Sequence, residues 1–84
     1  MKGIANEKVV YRYPVELVTM ADIRAFVSIA TRLEGKLLLC SGKEFQINAQ
    51  SMLGVILAKK LNWSRLELVT ERDYYNEFKE FIVD

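Results

Sequence analysis

Between Thr19 and Leu33 the apolar residues Ile23, Phe26, Val27, Ala30 and Leu33 recur every three or four positions, so a helix would gather them into one stripe. Thr19-Met20-Ala21-Asp22 opens that helix. The hydroxyl can accept an early backbone N–H, and the aspartate sits well in the first turn. Gly35, just past the stripe, is the expected stop. Before the helix, Lys8 to Tyr13 is β-branched and aromatic and runs into the only proline, Pro14, which fits a first strand and a turn. Val9, Tyr11 and Tyr13 fall on one side of that strand and Val10 with Arg12 on the other, so alternation leaves its inward face open. Residues 1–7 are expected to form a loosely packed N-terminus.

Further on, Lys36 to Cys40 and Glu44 to Ile47 read as a hairpin joined through Ser41-Gly42-Lys43. Ser51 can cap a second helix reaching about Leu61, closed by Asn62-Trp63-Ser64. Arg65 to Val69 alternates as a strand. Thr70 with Asp73 repeats the capping pattern, and Tyr74, Phe78, Phe81 and Ile82 recur at helical spacing, so a last helix is expected. The order βαββαβα with a central hairpin predicts an α+β sandwich of one domain, in which three helices cover one face of a four-stranded antiparallel sheet.

Length and charge narrow the function. At 84 residues there is room for one core. A formal charge of +1 gives no basic excess for nucleic acid or an anionic membrane. The longest apolar runs are too short to span a bilayer and the first residues lack a signal-peptide core, so a cytoplasmic location is expected. With one cysteine and no histidine, neither a structural zinc site nor an imidazole-assisted nucleophile can be assembled, and no metal or cofactor is expected. Cys40, within a run of leucines, reads as a small buried hydrophobe.

The segment Ile47-Asn48-Ala49-Gln50-Ser51-Met52-Leu53-Gly54 closely resembles the regulatory-serine segment of the phosphocarrier protein HPr family. Phe26 to Leu33 looks like that family's first helix. The resemblance runs from about Thr19 to the C-terminus, and it implies the HPr-like open-faced sandwich. The family carries its phosphoryl group on a histidine in G-x-H-A-R-P before the first helix; here the stretch is Leu17-Val18-Thr19-Met20-Ala21-Asp22, which places Thr19 at the histidine and Ala21 at the arginine. A phosphate ester on Thr19 would be too stable to pass on, and its hydroxyl lacks an adjacent base. The chain therefore cannot act as a histidine phosphocarrier, and no enzymatic activity is expected. Thr19 reads as a helix cap. Arg24, one turn after Ala21, either substitutes for the missing arginine or is a solvated surface residue.

The resemblance also implies a phosphosite at Ser51, where a dianion would meet the positive end of the second helix, although a structural N-cap already explains a serine there and is the favoured reading. It further implies a protein-binding face of Met20, Arg24, Met52 and Leu53; periodicity alone equally allows Met52 and Leu53 in the core. Trp63 either covers the end of the second helix or alters the contact surface. The reading that follows is a regulatory or adaptor protein, similar to catabolite-repression HPr-like proteins that lack the histidine, with an HPr kinase, a transcription regulator or a sugar-uptake component as partner. The alternative is a structural or self-associating domain, a homodimer, that keeps only the fold.

Overall fold

The computed structural model describes residues 10–83. Strand β1 (Tyr11–Pro14) leads to helix α1 (Met20–Thr31), strands β2 (Leu37–Ser41) and β3 (Phe45–Asn48), helix α2 (Met52–Lys60) and strand β4 (Leu66–Thr70). All strand pairs are antiparallel, and the sheet order is β1-β4-β2-β3. Two α-helices, rather than three, accompany this open sheet. The expectations for residues 1–7 and for Lys8 and Val9 concern positions outside the described residues. No helix among the described residues is long and apolar enough to cross a membrane.

Register explains the two faces of the sheet. Leu39 pairs with Ile47 and with Leu68, and Leu68 also pairs with Tyr13, so these side chains share one face. Leu37, Leu39, Leu68 and Tyr13 are buried there with Ile23, Phe26, Val27 and Ala30 of α1 and Val55 of α2 in one apolar cluster. The opposite face carries Arg12, Leu38, Cys40, Gln46, Glu67 and Val69. Cys40 is only 7% exposed, its Sγ lies 4.0 Å from Gln46 Oε1, and burial pushes its thiol pKa up, which suits the small hydrophobe expected from its leucine neighbours.

Helix α1 stops at Thr31, four residues short of Gly35, with Arg32 as its C-cap. Gly35 serves instead in the turn into β2, where its φ of 89° is open to glycine at little cost. Arg65, expected to begin β4, lies just before it with a φ of 54°.

The largest departure is the C-terminal segment. Tyr74, Phe78 and Phe81 are buried as their spacing requires, with Phe26 packed 5.2 Å from Phe78 and 5.7 Å from Phe81 between ring centroids. No α-helix carries them, only a 3-10 turn at Lys79–Phe81. The anticipated capping groups are engaged elsewhere. Thr70 ends β4, paired with Tyr11 and Leu37, and its hydroxyl donates to the Arg72 carbonyl at 2.6 Å. Asp73 Oδ1 accepts from the Tyr13 hydroxyl at 2.7 Å and from the Tyr75 amide, while the Tyr74 amide donates to the same Tyr13 oxygen at 3.1 Å. Long-range hydrogen bonds thus anchor the start of the segment, which then runs through a turn where the Phe78 amide donates to the Tyr74 carbonyl at 3.3 Å, until Ile82 bridges Val15 and the Val83 amide donates to the Pro14 carbonyl.

Burial, then the hydrogen bond to Asp73, raise the pKa of Tyr13 from 10.0 to about 12. The folded value exceeds the unfolded one, so this contribution to stability is complete below the unfolded pKa and is lost as pH rises through the folded pKa. Denaturant midpoints measured from about pH 9 to pH 12 should fall steeply for the wild-type chain. They should fall less steeply for Tyr13→Phe, which should also lose about 1–2 kcal/mol at neutral pH with its two hydrogen bonds.

Candidate functional site

At the start of α1 the chain supplies its own anion. Thr19 is the N-cap, its Oγ1 accepting from the Asp22 amide at 3.1 Å. Asp22 reaches back, its Oδ2 accepting from the Val18 amide at 2.9 Å and the Thr19 amide at 3.2 Å. The cause of this reciprocal pair is local: a hydroxyl and a carboxylate three residues apart meet across the first turn. The amides of Val18 and then Thr19 hold the Asp22 carboxyl below its ordinary pKa, assisted by the Thr19 hydroxyl and the charge of Lys59, against a smaller opposing effect of burial. The positive end of α1 is therefore already complemented by a carboxylate.

The start of α2 differs. Ser51 is its N-cap, with Oγ accepting from the Gly54 amide at 3.1 Å, but no acidic residue lies in the first turn. Gly54 gives the hydroxyl its room, because a Cβ there would lie 3.3 Å from Ser51 Oγ and 3.4 Å from Ile47 Cδ1. The approach to the helix is fixed by Asn48, whose side-chain oxygen accepts from the Gln50 amide at 2.9 Å and whose carbonyl accepts from the Ser51 amide at 3.0 Å. Gln50 in turn spans both helices: its Nε2 donates to the carbonyls of Ala30 at 2.8 Å and Leu33 at 3.1 Å, at the C-terminal end of α1. The sequence reading assigned Gln50 no role, since the partners of its amide lie 17 and 20 residues away.

The anticipated surface residues separate into two groups. Met52 is half-buried against the core, whereas Leu53 is 80% exposed. Met20, at the first residue of α1, and Arg24, one turn later, are both exposed. Leu57 and Leu61 are exposed as well, and with Leu53 they recur every four residues, forming an outward apolar stripe along α2 that the sequence reading missed. Trp63 is half-buried beyond the helix, its ring 5.4 Å from that of Phe45, which is itself exposed. Trp63 thus packs across to the hairpin.

No family model, curated protein or solved structure matches the chain.

Thr19 has no base beside it, since its nearest titratable partner, Asp22, is engaged by two amides. Among the described residues no three His, Cys, Asp or Glu side chains gather as a metal-holding group. The start of α2 therefore combines a half-buried serine cap, with no acidic residue in the first turn, and an exposed leucine stripe that begins two residues later.

Proposed function

We propose that this chain is a non-catalytic, HPr-like member of the phosphotransferase-system family, acting as a regulatory or adaptor protein. Its partner, an HPr kinase, a transcription regulator or a sugar-uptake component, would dock on the face formed by Met20, Arg24, Met52 and Leu53. Phosphorylation of Ser51 would control that contact. The single observation that carries the reading is the placement of Ser51: its hydroxyl caps α2 two residues before Leu53, the most exposed of the large apolar side chains among the described residues.

Physical chemistry supports a phosphate at Ser51 and opposes one at Thr19. A dianion at Ser51 would complement early amides that have no intrahelical partner, and no first-turn carboxylate repels it. The same group at Thr19 would meet the Asp22 carboxylate already bound to that helix start. A new dianion beside Leu53 would also change how a partner meets the stripe. Burying two of its leucines contributes roughly 3–6 kcal/mol before the cost of association, which suits a switchable contact. Lys60 in the last turn of α2 favours a partner with an acidic rim.

The test is incubation with an HPr kinase and ATP, followed by mass spectrometry. A single phosphate at Ser51, lost in Ser51→Ala, is expected. A parallel incubation with phosphoenolpyruvate and the general phosphotransferase enzyme should leave no acid-labile phosphate. Unmodified protein that instead dimerises with rising concentration would replace this reading by a self-associating domain, for which the same leucine stripe would serve as the interface.

A further inference from the structure

Away from the start of α2, the segment before α1, the end of α2 and the start of β4 enclose a cleft of about 530 Å³, a volume within the range of small-molecule sites. Leu17, Trp63 and Leu66 supply apolar lining, and Glu16, Lys59 and Arg65 supply charge. Lys59 is fixed in place, its Nζ donating to the Leu17 carbonyl at 2.8 Å. Two of its N–H bonds remain for another acceptor. Arg65 makes no hydrogen bond or ion pair among the described residues.

The backbone at Arg65 is unusual for its residue type. Its φ of 54° lies in the left-handed region, as does the 59° of Asn62 a few residues earlier. Asparagine tolerates that conformation, and glycine would adopt it freely, but a long side chain with a Cβ does not favour it. An arginine at this turn keeps an unpaired cation at the cleft against the preference of its own backbone. Outliers of that kind gather where a side chain is needed for binding.

We propose that the cleft binds a small hydroxylated phosphate monoester. Arg65 offers paired N–H donors to two phosphate oxygens, and Lys59 adds a second, point-like charge. The flat wall of Trp63 suits the C–H surface of the ligand body. Glu16, exposed at the rim, accepts from a ligand hydroxyl. Bare phosphate leaves the apolar wall unused and meets the charge of Glu16 uncompensated, while a neutral polyol leaves both cations without an acceptor. The site is separate from the proposed docking stripe and holds whether or not that reading does.

The chain contains one tryptophan, so its single indole N–H resonance reports on this wall directly. The isotope-labelled full chain is titrated with β-glycerophosphate, and in parallel with inorganic phosphate and with glycerol, while the Trp63, Leu17 and Arg65 signals are followed. Saturable shifts with β-glycerophosphate are expected, with affinity at least about tenfold above either fragment and a loss of about tenfold or more in Arg65→Gln. Arg65→Gly should lose binding while its Tm holds or rises, because glycine relieves the left-handed backbone. Equal affinity for inorganic phosphate, shifts that do not saturate, undiminished binding in Arg65→Gln, or intact binding with a lowered Tm in Arg65→Gly would each overturn the proposal.

Discussion

Phe78→Ala is expected to lose about 3–5 kcal/mol, enough to unfold a substantial fraction of a small domain whose total stability is on the order of 5–15 kcal/mol. Phe78 is fully buried and packs on Phe26 of α1, which also meets Phe81. No α-helix carries the segment around it, so ring packing has to supplement the few hydrogen bonds that hold that stretch in place. Truncation would leave a void between α1 and the C-terminal segment, and the loss would include both the transfer term and the cavity term. Chemical denaturation of the variant, with the m-value checked for a change in the denatured state, measures it. Phe78→Leu, which keeps most of the volume, should lose markedly less. Equal losses for the two variants would mean that the contacts of the aromatic ring itself, rather than the apolar volume it fills, carry the contribution.

Gln50→Glu should be the next most damaging change, at about 2–4 kcal/mol near neutral pH. The amide of Gln50 donates to two carbonyls at the end of α1. A carboxylate there removes the donor and sets a negative charge against the negative end of the helix dipole. Gln50→Ala loses the hydrogen bonds without adding charge, and its expected deficit is smaller, about 1–3 kcal/mol. The difference between the two variants should shrink in acid, where a protonated glutamate can donate. Parallel urea titrations at neutral and acidic pH would decide it, and a pH-independent difference would show that the dipole is not the cause.

Much of the fold was legible because its causes are local. The stripe Ile23, Phe26, Val27, Ala30 located α1, and the Thr19–Asp22 pair located its start, because the interacting groups lie within one turn. The hairpin and β4 were read to within one residue at each end for the same reason: alternation and turn residues act over short spans. The C-terminal segment shows the limit. Its spacing identified Tyr74, Phe78 and Phe81 as inward, but the hydrogen bonds from Tyr13 that replace helix capping come from 60 and 61 residues away.

The candidate site was legible in the same uneven way. Ser51 and Thr19 were visible as caps because a cap is a sequence-local event. The fate of Met52 and Leu53 was not, because α2 is apolar on most sides and periodicity could not say which side the sheet would take. Leu57 and Leu61 could have been found with Leu53 by their four-residue spacing, had the inward side already been assigned to Val55 and Ala58. Gln50 carried no local signal at all.

The edge position of β1 sets the order in which the chain can assemble. The neighbouring pair β2–β3 closes within a few residues, whereas β1 finds its only strand partner among the described residues, β4, after nearly the whole described chain has been made. Loop-closure entropy delays such a contact until the central strands and helices offer a surface to join. The first strand and the last described residues therefore fasten each other, with Ile82 and Val83 closing over Val15 and Pro14. Amide protons along this seam should exchange with solvent sooner than those at the β2–β4 centre, because a seam joined last is the first to open.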